Sequence, residues 1–176
     1  TSSLVGSEMC IRDRFIDVGI AEETAVALAS GIAANGGKPV YGVYSSFIQR
    51  TYDQLTQDLC INNNPATIVV FAGSVYGMND VTHLGLQDIP MLTSIPGLVY
   101  LAPTTKEEYL AMLDWSVEQT EHPVAIKLPG AAMVSDGKAV TRDFSQLNKY
   151  EVTEKGSKIA VIGAGTFYPV SYTHLT

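Results

Sequence analysis

Short apolar runs of strand length alternate along this chain with longer stretches of helical spacing, and that alternation constrains the fold most. The runs are KPVYGVY at 38–44, TIVVF at 67–71, VYLA at 99–102, VAIKL at 124–128 and KIAVIGA at 158–164. Most are continuously apolar rather than alternating, as strands covered on both faces must be. Between them lie helical segments. Ile20–Asn35 is alanine-rich and ends at Gly36-Gly37, a helix stop. Ser46–Asn62 places Phe47, Tyr52, Leu55 and Leu59 on one face. Asp88–Ile95 predicts a short helix, and Pro103-Thr104 opens another, with Thr104 or Thr105 as N-cap and Glu107-Glu108 in the first turn. The expectation is an α/β fold, a parallel sheet flanked by helices. Residues 131–157 are more polar and less regular and read as a linker, and 158–164 reads as the first strand of a further α/β domain.

The composition removes several function classes. With 176 residues, 46% hydrophobic and 16% charged, the chain can bury a core and is not disordered. A net charge of −7 argues against a nucleic acid or an anionic membrane surface as partner. No apolar run reaches the roughly 18 residues of a membrane span. Two cysteines make no disulfide framework, and the expected compartment is the reducing cytoplasm.

The two ends carry a different signal. Met9–Arg14, MCIRDR, can be written as ATG TGT ATA AGA GAC AG. The reverse complement of that string reads Val-Ser-Tyr-Thr-His in one frame, the order found at 170–174. One inverted element at both termini is expected of a translated sequencing adapter. The domain reading is therefore an adapter-derived tail at 1–14, a domain at 15–130, the linker at 131–157, the start of a second domain at 158–169 and a second tail at 170–176. The ends are excluded from fold reasoning, and the insert is expected to be cut from a longer protein. The remaining titratable nucleophiles and bases are then Cys60, His83 and His122.

In open parallel sheets ligands bind beyond the carboxyl ends of the strands. This directs attention to Ser45-Ser46-Phe47, to the glycine-rich stretch Gly73–His83 and to Lys127. His83 is the one histidine in that glycine-rich stretch, either a site residue or a polar loop residue. Glu22 and Glu23 open the first helix, where acids ordinarily complement the helix dipole. Gly163-Ala164-Gly165 lacks the third glycine of a dinucleotide loop. His122 reads as surface, and the scattered histidines have no metal-ligand spacing.

Several motifs then become recognisable. Asp17–Glu22 reads DVGIAE, Lys38-Pro39 follows a glycine-rich stretch, and Tyr44–Gln54 reads YSSFIQRTYDQ. Thr82-His83-Leu84-Gly85, Ile95-Pro96 and Ala102-Pro103 come later. The chain resembles the pyrimidine-binding domain of thiamine-diphosphate enzymes of the transketolase superfamily, and within it the 1-deoxy-D-xylulose-5-phosphate synthase family. The resemblance covers Phe15 to Gly130, with Lys158 onward similar to the start of the family's C-terminal domain.

The resemblance implies a transferase that makes or moves carbon–carbon bonds, acting on a 2-oxo acid or ketose donor and an aldehyde acceptor, in the family's case for isoprenoid precursors. It implies thiamine diphosphate and Mg²⁺ as cofactors, with the metal and diphosphate ligands on a diphosphate-binding domain of the same or a partner chain. It also implies a homodimer and an isolated chain without turnover. Glu22 matches the carboxylate that bonds N1′ of the cofactor's aminopyrimidine and favours the imino tautomer, whose nitrogen takes the C2 proton. Phe47 matches the aromatic that stacks on the pyrimidine, Arg50 an arginine near the cofactor, and His83 a histidine facing substrate. Asn79 or Asp80 aligns with the family's aspartate before Thr-His, and Lys127 with one of the arginines that hold a phosphorylated acceptor. The sequence departs from the family at Thr24, usually His, at Phe71-Ala72, where an arginine is usual, and at Lys127-Leu128-Pro129-Gly130, where a second arginine is missing. Cofactor binding is thus expected to be kept while the phosphorylated acceptor is in question. Two other readings compete: the β subunit of a 2-oxoacid dehydrogenase, and a non-catalytic cofactor-binding homologue.

Overall fold

The structure, a computed structural model, describes residues 14–72, 81–129 and 133–175. Four parallel strands form one sheet in the order β1-β2-β4-β3: β1 (Val40–Tyr44), β2 (Thr67–Phe71), β3 (Val99–Leu101) and β4 (Val124–Lys127). The two central strands, β2 and β4, are buried along nearly their whole length, which is why their sequences are continuously apolar rather than alternating. The one polar residue of β2, Thr67, is satisfied there: its hydroxyl donates to Ser116 Oγ at 3.0 Å.

On one face lie α1 (Glu22–Ala34) and a continuous helical segment. That segment runs through a 3₁₀ turn (Ile48–Thr51), α2 (Tyr52–Gln54) and a π turn (Leu55–Cys60). Val26, Ala29 and Ala33 of α1 pack with Leu55, Leu59, Ile68 and Val70 into the larger core. The sequence predicts one plain helix over Ser46–Asn62. The π turn widens the hydrogen-bond ladder, and the Asp58 carbonyl is taken up by side chains instead. Ser30 Oγ donates to it at 2.6 Å and Asn62 Nδ2 at 2.9 Å. Gly36 closes α1 at φ +78°, the left-handed C-cap that glycine adopts without strain.

On the other face α4 (Lys106–Glu118) covers β4 through Met112, Val124 and Ile126. Thr105, one of the two caps the sequence offers, is its N-cap and accepts from the Glu108 amide at 3.2 Å. α3 (Asp88–Thr93) is short and begins where predicted. Residues 133–157 carry no helix or strand, but they are more than a tether. Phe144 is buried beside Trp115 and Met112, and the Lys106 amide donates to the Val134 carbonyl at 2.9 Å.

One terminal feature departs from the sequence reading. Residues 158–164 form no strand, and Ile159 and Ile162 are 82% and 94% exposed. A strand needs a neighbour for its amides and carbonyls, and no strand of this sheet pairs with this run. α5 (Phe167–Leu175) then crosses position 170, where the second tail is expected to begin. Phe167, Val170 and Tyr172 on it are exposed. Among the described residues, no helix is long and apolar enough to cross a membrane.

Candidate functional site

α1 leads into β1 at the amino end of the sheet, so its own amino end must lie at the carboxyl end of the strands. Its 13 residues span roughly 20 Å at 1.5 Å per residue, and the five residues of β1 span about 16 Å at 3.3 Å per residue. Glu22, the first residue of α1, is thereby raised to the level of the segment that follows β1. There Phe47 and Arg50 wait in the turn before α2.

The four residues the sequence singles out for cofactor and proton chemistry meet here. Glu22 is 7% exposed. Arg50 Nη1 donates to Glu22 Oε2 at 3.2 Å. The Arg50 guanidinium also sits over the Phe47 ring, 5.9 Å from its centroid, within cation–π range. His83, in a 3₁₀ turn (Val81–His83), meets the same ring edge-on with centroids 5.2 Å apart. Thr82 Oγ1 lies 2.7 Å from His83 Nδ1, and which of the two donates depends on the imidazole tautomer. A carboxylate, an aromatic, a guanidinium and an imidazole thus form one chain of contacts from α1 to the loop before α3.

Two nearby residues are not among those the sequence singles out. Tyr41 of β1 has its phenol pushed up to about 12, by burial first and then by the charges of Glu22 and Glu23. Tyr44 meets Phe47 edge-on at 6.0 Å and leans on Phe71 at 6.3 Å. The Phe71 ring lies so close to β1 that a Cβ on Gly42 would come within 2.8 Å of it. A side chain at Gly42 would require the half-exposed Phe71 ring to shift. The spacing of tyrosines in VYGVY is a visible signal for Tyr41 and Tyr44, but predicting a strand does not say which face meets Glu22.

Lys127 is not brought into this group. At the end of β4 its ammonium lies 2.5 Å from Asp88 Oδ2, and the same oxygen accepts from the Tyr100 hydroxyl at 2.7 Å. Burial, that bond and the Asp88 charge together push the Tyr100 phenol far up. Asp88 is fully buried, and its Oδ1 has no hydrogen-bond partner among the described residues. A charged residue opening a six-residue helix is the sequence signal for Asp88. Asn79 and Asp80, the expected substrate-side residues before Thr82, lie outside the described residues. His122 is at the surface, 3.8 Å from Glu121. The Cys60 thiol is buried and pushed up to about 11, so it is poorly suited to nucleophilic work.

The donor set fits a flat heteroaromatic group with a ring nitrogen. Arg50 occupies only Oε2 of Glu22, leaving Oε1 without a hydrogen-bond partner among the described residues. Ser45 Oγ, at the same end of β1 and 1% exposed, also has no partner among them. A carboxylate oxygen of a mostly buried side chain, with an aromatic ring in the same chain of contacts, can accept from such a group while the ring packs on its face.

Comparison with known proteins identifies the family. The model of the transketolase pyrimidine-binding domain matches residues 3–133. A 1-deoxy-D-xylulose-5-phosphate synthase of Clostridium beijerinckii is 39% identical over 154 residues, covering 88% of this chain and 25% of the relative. A synthase of the same name from Clostridium botulinum is 40% identical over 153 residues, covering 87% and 24%. Another from Natranaerobius thermophilus is 38% identical over 159 residues, covering 89% and 25%. This chain therefore spans about a quarter of the length of these curated relatives. Among solved structures, a split-gene transketolase described as an inactive β4 tetramer superposes with a TM-score of 0.64 at 21% identity, covering 74% of this chain and 42% of that one. At that identity the likeness concerns the fold.

Proposed function

The chain belongs to the transketolase pyrimidine-binding domain family, and from that premise we propose that it is the pyrimidine-holding part of a thiamine-diphosphate-dependent transferase of the 1-deoxy-D-xylulose-5-phosphate synthase type. The observation that carries this reading is the contact chain Glu22–Arg50–Phe47–His83 at the carboxyl end of the sheet. When bound, the cofactor supplies a carbon nucleophile that proteins cannot make from their own side chains. The chain's residues hold and orient it. Glu22 offers Oε1 to a ring nitrogen, with Arg50 fixing the carboxylate through Oε2. Phe47 supplies the aromatic surface. In this reading His83, in contact with Thr82 and Phe47, gives or takes a proton on the substrate side.

The substrates in this reading are a 2-oxo acid or ketose donor and an aldehyde acceptor. Mg²⁺ and the diphosphate are held by another domain, on the same or a partner chain, in a homodimer of the cytoplasm. The 176-residue chain alone is then without turnover.

The test uses the full-length protein with thiamine diphosphate, Mg²⁺, a ¹³C-labelled 2-oxo acid and an aldehyde. NMR should detect a new carbon–carbon bond, and Phe47→Ala should weaken cofactor binding by about tenfold or more, the scale of a lost aromatic contact. No cofactor binding by the full-length protein would overturn the reading. Cofactor binding without any ligation product would favour the non-catalytic homologue, and acyl transfer to a lipoyl group the dehydrogenase subunit.

A further inference from the structure

We infer that Phe71 and Tyr44 form the acceptor side of this site, and that they select an uncharged aldehyde with an aromatic or apolar body over a phosphorylated one. The inference rests on the proposed function and narrows its substrate class. Tyr44 and Phe71 are the last register pair of β1 and β2. Both rings therefore stand at the carboxyl end of neighbouring strands, where ligands of open parallel sheets bind. The Phe71 ring lies against Gly42 of β1. Its centroid is 6.3 Å from that of Tyr44, Tyr44 is 6.0 Å from Phe47, and Phe47 is 5.2 Å from His83. All three spacings fall in the range of attractive ring contacts. Four rings thus run without a break from the imidazole to Phe71.

The outer end of this row is accessible. Tyr44 is 50% exposed and Phe71 40%. Isolated exposed apolar side chains are ordinary. Two that touch each other and the Phe47 ring form a surface continuous with the site. An apolar aldehyde seated there covers ring surface that water otherwise wets, with its carbonyl directed along the row toward Phe47 and His83.

Charge supports the same choice. No lysine or arginine occurs in the sequence between Arg50 and Lys106, so no permanent cation comes from α2 through β3. Arg50 already bonds Glu22 and lies over Phe47. Lys127 bonds the fully buried Asp88, and withdrawing it would strand that carboxylate. Lys106 follows β3, which stands two strands from β2 and three from β1, roughly 10–14 Å away at the usual strand spacing. A phosphate is held by charge-assisted bonds, best from a guanidinium fork. The negative faces of aromatic rings do not replace them.

The experiment uses the full-length protein with thiamine diphosphate, Mg²⁺ and a 2-oxo acid, and compares benzaldehyde with glyceraldehyde 3-phosphate as acceptor. Benzaldehyde should be favoured in kcat/KM by about tenfold or more. Phe71→Ala should lower its kcat/KM about tenfold, the scale of a lost ring contact, with thiamine diphosphate affinity within about twofold of the parent. Phe71→Leu, which keeps an apolar surface, should stay within about threefold. A second readout needs neither turnover nor a variant that folds. Benzyl alcohol added to the parent protein should shift the ring resonances of Tyr44 and Phe71 in NMR spectra with labelled aromatic residues. If neither aldehyde is ligated and C2 of the cofactor does not exchange, the proposed function fails, and the benzyl alcohol shift alone judges the subsite. A preference for the phosphorylated aldehyde would overturn the inference. So would benzaldehyde turnover unchanged in Phe71→Ala, or rings that do not shift with benzyl alcohol.

Discussion

Two carboxylate–cation pairs stand at the carboxyl end of this sheet, and they are built differently. Glu22 meets Arg50 at 3.2 Å, with the arginine side chain 47% exposed. Asp88 meets Lys127 at 2.5 Å, with the lysine 13% exposed and the aspartate fully buried. The first pair comes from a helix start and a turn, is shared with the Phe47 ring and leaves Glu22 Oε1 without a partner among the described residues. The second comes from a helix start and a strand; Tyr100 donates to the same oxygen as Lys127, Oδ1 is likewise without a partner among the described residues, and what closes this pair is the full burial of Asp88. An open pair can exchange a contact with a ligand at small cost. A closed one cannot, because any vacancy exposes a buried charge to a medium that does not solvate it. The first pair is the one that solvent and a ligand can reach.

The largest expected effect separates them by stability. Asp88→Ala should destabilise the chain by about 3–5 kcal/mol, the usual result of orphaning one partner of a buried pair. Arg50→Ala should cost less, about 1 kcal/mol, because the arginine end of the pair is 47% exposed, although Glu22 itself is mostly buried. Urea midpoints of the two variants check this, and equal losses would remove the distinction. Tyr100→Phe should lie between, at about 1.5–3 kcal/mol, the range for a hydrogen bond to a charged group.

The smallest effect is a titration. The Tyr41 phenol is raised to about 12 by burial and by Glu22 and Glu23. A group raised on folding contributes stability below its unfolded value, near 10, and loses that contribution as pH climbs through its folded value. Stability should therefore fall over the window from about 10 to about 12, and Tyr41→Phe should flatten the fall. Glu22→Gln should move the phenol back toward its ordinary value, read from the part of the phenolate absorbance that Tyr41→Phe removes. An unmoved phenol would separate Tyr41 from the open pair.

Much of this was legible in the sequence, for physical reasons that differ by region. The strands of the sheet are visible because burial on both faces demands continuous apolar runs, as in TIVVF and VAIKL. Glu22, Phe47, Arg50 and His83 are legible through motifs, and the alignment of α1 with β1 brings them together. Lys127 reads from sequence as a substrate-side residue through its alignment with a family arginine; its bond to Asp88, 39 residues earlier in the chain, is not visible there. The π turn is not legible, since an apolar helical face looks the same whether the ladder is regular or widened. The run at 158–164 is apolar enough for a strand, but a strand is a property of pairing, and pairing is not written in one segment. Phe144 hides in a polar stretch because a single buried aromatic leaves no periodicity.

The central claim is that Glu22, not merely an acid at a helix start, serves the pyrimidine. Its most direct test is hydrogen–deuterium exchange at C2 of thiamine diphosphate bound to the full-length protein, followed by NMR and compared between Glu22→Gln and Glu23→Gln. Glutamine keeps the size and hydrogen-bonding reach of Glu22 but not its charge or its capacity to share a proton. Exchange should slow by roughly 10²-fold or more in Glu22→Gln, the scale of a lost proton-transfer partner. It should stay near the parental rate in Glu23→Gln, because successive helical side chains point in different directions. Parental exchange in Glu22→Gln, or a defect confined to Glu23→Gln, would contradict the account.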